Sequence, residues 1–263
     1  MTDRALPNRT LENISDSNFL RLPNHLSKSI SYLEDKNIRL IQKAYSFAFI
    51  AHDGQLRKDG SSYISHPVEV AKILADLKMD QDTISSALLH DVLEDCDVPK
   101  VTLEKEFNKS IADIVDGVTK LGNIKMKDRE ERNRESFQKM ALAMSKDVRV
   151  ILVKLCDRLH NIRTIDFVPR NKQIGICKET MEIYGPLALR VGMQEIASEL
   201  ENRCFKCIHP FRYSLLENAI KKSSGGREKI VEKIRKELKY HLRGNGVNGA
   251  VVRGRKKTIY SIY

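Results

Sequence analysis

Three features of the sequence predict an all-α fold. Apolar residues recur at three- and four-residue spacing along most of the chain from about residue 35 to residue 243. Alternating apolar–polar runs, the mark of half-buried strands, are scarce until about residue 250. The composition favours helix, being 41% hydrophobic and 31% charged with 6% aromatic residues and no tryptophan. At 263 residues the chain can build one large domain or two modest ones.

Residues 1–34 are polar, with prolines at 7 and 23 and no sustained period, and read as a loose N-terminal extension. Ile38, Ile41, Ala44, Tyr45, Phe47 and Ala48 share helical spacing and place a helix over 35–52. A loop follows between Gly54 and Gly60. Pro67 suits the first turn of the next helix, where its missing N–H would have no partner, and Val68, Ala71, Leu74 and Leu77 form its inner stripe. Asp82 or Thr83 is placed to cap a third helix carrying LLHDVLED, residues 88–95. Further helices are expected over 101–118, 133–145, 147–165, 172–190, 193–202, 211–222 and 227–243. Ala250–Arg253 and Thr258–Tyr260 are the strand-like segments.

Composition excludes several classes. No apolar run approaches the roughly 18 residues of a membrane span. The start, MTDRALPNRTLENISDSNF, lacks the apolar stretch of a secretory signal, so a cytoplasmic protein with no membrane partner is expected. Five scattered cysteines do not make a disulfide framework, and the single Cys204–Cys207 CxxC reads as incidental thiols before a zinc site. The net charge of +11 is concentrated: residues 220–263 carry 13 Lys+Arg against 3 Asp+Glu. A basic end can meet RNA, polyphosphate or an acidic partner, but a solvated face is the simpler reading, and nucleic acid is not expected as a partner. Nothing in the pattern specifies an oligomeric state.

LLHDVLED interrupts four aliphatics with a histidine and three acids. On a continuous helix, with His90 at zero, Glu94 falls at about 40°, Asp91 at about 100° and Asp95 at about 140°, one face shared by all four. A second helix, 147–165, carries an apolar stripe of Leu152, Leu155, Leu159 and Ile162. Opposite it runs the polar line Asp157, Asn161 and Thr164, with Lys154 near its edge. His66 stands just before a third helix. Each of these taken singly has a bland reading, as a cap, a surface pair or a paired core acid. Together, His66, His90, Asp91 and Asp157 make a nitrogen-and-oxygen donor set suited to a divalent first-row metal, manganese or iron before magnesium. Glu94 and Asp95 lie beside it, where they could orient or deprotonate an attacking water.

The stretches YISHP (63–67), LLHDVLED (88–95), GVTKL (117–121) and KLCDRLHNIRT (154–164) resemble the hydrolase domain of the RelA/SpoT alarmone enzymes in order and spacing. The likeness runs from about residue 40 to the end. It implies an HD-type helical hydrolase domain that cleaves guanosine 3′,5′-bis(diphosphate), (p)ppGpp, to GDP or GTP and pyrophosphate with Mn2+. By the same resemblance, His66, His90, Asp91 and Asp157 hold the metal. Glu94 and Asp95 serve the attacking water and the leaving pyrophosphate. Arg57 and Lys58 meet the nucleotide, and Tyr63, Asn161 and Thr164 line the nucleoside pocket. Residues 35–202 would form this domain, and 203–263 a basic helical linker leading into the truncated start of a synthetase domain, VRGRKKTIYSIY, for which no synthetase activity is expected. Ser136, Gln138 and Leu189 depart from the family pattern outside the metal motifs. Two other readings compete: hydrolysis of another nucleotide or a nicotinamide phosphate on the same fold, and an inert or regulatory (p)ppGpp-binding fragment.

Overall fold

A computed structural model describes residues 19–122, 146–223, 227–252 and 257–263. The helix expected over 133–145, with Ser136 and Gln138, lies outside them. The described residues are helical, and their β pairing is one isolated antiparallel bridge, Leu56 with Ser62. No described helix is long and apolar enough to cross a membrane.

The chain runs through α1 (Asn24–Ser29), α2 (Asp35–Ala51), α3 (Ser65–Asp76), α4 (Gln81–Leu89), α5 (Val92–Asp95), α6 (Lys100–Glu106) and α7 (Lys109–Gly122). From residue 146 onward come α8 (Val148–Arg163), a 3-10 turn (Ile165–Phe167), α9 (Arg170–Glu179), a π-helical turn (Thr180–Tyr184) and α10 (Gly185–Arg190). The chain continues with α11 (Gln194–Ile208), α12 (Pro210–Ser223) and α13 (Arg227–Gly244). α4 is the hub and packs against α2, α3, α7 and α8. Every residue from Thr83 to Leu89 is buried, which a helix achieves only when surrounded. Ser85, Ser86 and Ala87 keep it slim enough for four neighbours.

Several expectations are corrected. The second half of the supposed loose extension is packed: Leu22, Leu26 and Ile30 are buried in the core, and α1 lies on α3. The cap of α4 is Asp80, the residue immediately before the first helical residue Gln81. Its Oδ1 accepts from the N–H groups of Asp82 and Thr83 at 3.0 and 3.1 Å, and its Oδ2 accepts from the Thr83 hydroxyl at 2.7 Å. The helix expected over 101–118 is broken at Phe107–Asn108, where Asn108 Oδ1 accepts from Ile111 N at 2.8 Å and restarts the chain as α7. The helix expected over 172–190 is interrupted by the π-helical turn. The strand-like end forms no strand among its described residues. Residues 259–263 close into a turn instead, and the rings of Tyr260 and Tyr263 pack on Phe205 at 5.7 and 4.7 Å. A strand needs a partner, and ring contacts of Tyr260 and Tyr263 with Phe205 take the place of strand pairing in this segment.

The GVTKL glycine has a packing reason. A Cβ on Gly117 would stand 2.8 Å from Val150 Cγ2, so α7 meets α8 at a distance that no side chain permits. Val150 is β-branched and cannot swing aside cheaply. Gly117→Ala should destabilise the fold by about 1–3 kcal/mol in urea unfolding, because α8 must shift to admit the methyl.

Asp80→Ala should cost about 1 kcal/mol by the same measurement. Burial works to raise the Asp80 carboxyl, but Thr83 and Arg149 together hold it below its ordinary value. Its contribution is therefore fully present above the unfolded carboxylate range, about pH 4. It is lost as pH falls through the lower folded value, and the alanine variant should lack that acid-side decline.

Candidate metal and nucleotide site

The His-Asp doublet lies at a helix junction rather than within one helix. α4 ends at Leu89, and Asp91, at φ −99° and ψ −5°, starts the short α5. The side chain of Asp91 makes no cap bond. It is held instead by the Tyr63 hydroxyl, whose oxygen lies 2.7 Å from both Asp91 Oδ2 and Asp95 Oδ2. Burial, then the charges of these acids, raises the Tyr63 pKa, so its hydroxyl stays a donor.

His90 Nδ1 lies 2.8 Å from the Ala87 carbonyl, which can only accept. The proton is therefore on Nδ1, and Nε2 presents a lone pair. Among the described residues that Nε2 is buried without a hydrogen-bond partner. It faces Asp91 Oδ1 at 3.1 Å and Asp157 Oδ1 at 3.9 Å. His66, in the first turn of α3, points its Nε2 at Asp157 Oδ1 at 3.3 Å and at Asp91 Oδ2 at 3.8 Å. One donor atom from each of His66, His90 and Asp157 lies within 4.8 Å of the others, and all three residues are buried. Asp91 adjoins this trio through both of its oxygens. Two imidazoles and carboxylate oxygens converging without a thiol fit a divalent cation, and the orphaned Nε2 is the atom such an ion would satisfy.

Asp157 is the deepest charge. Burial pushes its carboxyl up, but Lys154 and the two histidines hold it well below the usual carboxylate range. Lys154 Nζ sits 2.9 Å from Asp157 Oδ2. Burial opposes the Lys154 ammonium, yet Asp157, Tyr184 and Asp91 raise it above its ordinary value. Asn161 donates to Asp157 Oδ1 at 2.6 Å from one turn further along α8.

A cavity of about 570 Å³ opens over this floor. Tyr63, His66, Asp91, Glu94, Asp95, Asp157, Asn161 and Thr164 line it, and His90 lies behind them. Arg57 and Lys58 reach its rim from the loop between α2 and α3. The loop is shaped by Asp59, whose Oδ1 accepts from Ser61 N at 2.9 Å, and by Gly60 at φ +82°, a conformation that favours glycine. Arg57 Nη2 approaches Asn161 Oδ1 and Thr164 Oγ1 at 3.5 Å each. Burial first, then Asp95 and Asp91, raises the pKa of Glu94 against the opposing pull of Lys154.

The family model described as HD domain matches residues 44–194. The chain belongs to the HD domain family. Its HD domain is similar to a guanosine-3′,5′-bis(diphosphate) 3′-pyrophosphohydrolase of Vibrio cholerae, 45% identical over 88% of this chain and 33% of that protein. It is 43% identical to the bifunctional (p)ppGpp synthase/hydrolase SpoT of Escherichia coli over 89% of this chain and 33% of that one. The chain thus spans about a third of the length of these curated relatives. A solved metazoan ortholog of SpoT, described as hydrolysing ppGpp, is 24% identical, covers 68% of this chain and 97% of its own, and has a TM-score of 0.48. The resemblance to RelA/SpoT enzymes read from the four motifs agrees with the two curated relatives.

The HD domain contains site residues that the motif reading did not single out. His160 lies with its Nδ1 2.7 Å from His66 Nδ1, and burial, with His66 and Arg57, pushes it down to about 4. Its place three residues after Asp157 puts it on the same side of α8, so the signal was present. Arg158 lines the cavity while stacking over the Tyr184 ring at 4.0 Å and pairing with Glu179 at 3.3 Å. Ile165, Phe167, Val168 and Ile176 add an apolar wall. The CxxC thiols are elsewhere and free, Cys204 being buried and Cys207 half-buried.

Asp91→Ala should leave a folded helical protein but weaken binding of a divalent cation by about 10-fold or more in isothermal titration calorimetry. The variant removes the oxygens facing both histidines.

Proposed function

We propose that this HD domain hydrolyses (p)ppGpp at its 3′ side, releasing pyrophosphate and GDP or GTP, with Mn2+ held by His66, His90, Asp91 and Asp157. The observation that carries this reading is the buried two-imidazole cluster at the floor of a cavity with a cationic rim. The activities for which the curated relatives are named support the choice of substrate. Nitrogen and oxygen donors mixed in this way favour manganese or iron over magnesium. A divalent cation bound there would lower the pKa of water and offset charge growing on phosphoryl oxygens.

The chain's own groups supply the rest. A carboxylate whose pKa is raised is a better proton acceptor near neutral pH, which suits Glu94 to take a proton from the attacking water. Asp95, tied to Asp91 through Tyr63, fixes the position of this acidic edge and serves the departing pyrophosphate. Water adds at the phosphorus attached to the ribose 3′ oxygen. The O–P bond breaks, a proton goes to that oxygen, and pyrophosphate leaves. Arg57 can stack on a purine or pair with phosphate, and Lys58 meets phosphate as a point charge. Asn161 and Thr164 offer polar atoms to the nucleoside, against the apolar wall of Phe167 and Val168.

Pyrophosphate release from ppGpp, measured with Mn2+ and with chelator, tests the proposal. Turnover should require the metal. Glu94→Gln should keep Mn2+ affinity while the rate falls about 100-fold or more, since it removes a base and not a ligand. Release of phosphate from other nucleotides, with none of pyrophosphate from ppGpp, would move the assignment to another substrate. Tight ppGpp binding without turnover in Mn2+ would make the domain a sensor.

A further inference from the structure

We infer that His160 is a positioning residue that fixes the tautomer of His66 and thereby commits His66 Nε2 to the cation. The inference rests on the reading that the cluster binds a divalent metal. It does not depend on which substrate the domain cleaves.

The two cluster histidines are oriented in different ways. For His90 the decision is made by backbone: the Ala87 carbonyl at 2.8 Å can only accept, so Nδ1 carries the proton. For His66 the partner is another imidazole, His160 Nδ1, at 2.7 Å. An imidazole nitrogen can donate or accept, so this contact holds one proton between two rings. The contact is buried, His66 being 2% and His160 8% exposed, so solvent does not stand in for either partner.

A histidine binds a metal through a nitrogen that bears no proton, and the other nitrogen then needs an acceptor. His66 Nε2 faces Asp157 Oδ1 at 3.3 Å and Asp91 Oδ2 at 3.8 Å. In the competing tautomer, a proton on Nε2 would point at these carboxylates and occupy the direction a cation needs. An acceptor at Nδ1 decides between the two. With His66 Nε2 given to a cation, His160 Nδ1, bare in one of its two neutral tautomers, is the acceptor within reach, and it is held in place by α8, the helix that carries Asp157 three residues earlier. One helix thus provides a carboxylate donor and the group that prepares its histidine neighbour. The ring centroids of His66 and His160 are 4.8 Å apart and tilted by 45°, edge to edge through the Nδ1 atoms rather than stacked.

The test uses the full chain and Mn2+ alone. His160→Leu removes the acceptor, and His160→Gln restores an oxygen that accepts from Nδ1–H. Mn2+ affinity by calorimetry should fall roughly 10- to 100-fold in the leucine variant and return to within about threefold of the parent in the glutamine variant. Nitrogen-15 imidazole spectra of the metal-free parent should show the His66 proton on Nδ1. Unchanged affinity in a folded leucine variant would overturn the inference, as would failure of glutamine to restore it. If the leucine variant does not fold, the parent spectrum and the glutamine affinity decide: a proton found on Nε2 of His66 in the metal-free parent overturns the assignment. None of these measurements involves ppGpp, so a wrong substrate would leave them unaffected.

Discussion

The architecture is organised around a carboxylate that an apolar helix sandwich would ordinarily reject. Asp157 is 5% exposed, yet its carboxyl is held well below the usual range. A buried, unpaired carboxylate would be neutralised or would unfold its surroundings. Here Lys154 stands 2.9 Å from one oxygen, while Asn161 donates to the other. Both partners come from the same helix, at i−3 and i+4, so the charge is matched within that helix. What tertiary structure adds is the pair of imidazoles and Asp91. Together with Glu94 and Asp95 these leave more negative than positive charge around the cavity floor, an arrangement that a divalent cation completes.

This balance depends on close packing some distance away. Asp157 reaches the histidines only because α8 lies tightly against α3, α4 and α7. The approach to α7 is possible because residue 117 has no side chain, and the approach around α4 because its middle is serine and alanine. Small residues on hub helices therefore act on the site without touching it. The same logic explains why the GVTKL stretch belongs among the motifs although none of its residues is among the cavity-lining residues named above.

Much of the site was legible because its residues sit on strongly periodic helices. Asp157, Asn161 and Thr164 fall at i, i+4 and i+7 on one line of a helix whose other side is an apolar stripe, and their coincidence with His66 and His90–Asp91 is what pointed that line at a common place. His66 was fixed by the proline after it. The junction at His90–Asp91 was not legible, because nothing local breaks LLHDVLED. The break is held by Tyr63, nearly thirty residues earlier, which takes the Asp91 side chain. The cap at Asp80 was missed in favour of Asp82 or Thr83, since all three are capping types and only the backbone N–H directions separate them. Leu22, Leu26 and Ile30 fall at i, i+4 and i+8, a helical spacing obscured by the polar residues between them and by the proline at 23. Arg158 could not be read as anchored, for its partners Tyr184 and Glu179 come from α9 and the π-helical turn.

The division of labour between scaffold and loop follows from the same facts. The donor atoms for a cation lie on helices or at a junction between them, and most have a buried second partner that limits their motion. The groups suited to an anionic nucleotide do not. Arg57 and Lys58 stand on a loop shaped by an Asp–Ser turn and one left-handed glycine, and Arg57 meets α8 only at 3.5 Å. Rigid placement matters most where a reacting centre must be held to a fraction of an ångström, and less where phosphates are gathered by charge. The Arg57 side chain, so lightly tied, can follow an anionic ligand inward without disturbing the buried cluster. Substitutions at Arg57 and Lys58 are thus expected to alter affinity for the proposed nucleotide while the floor of the cavity keeps its geometry.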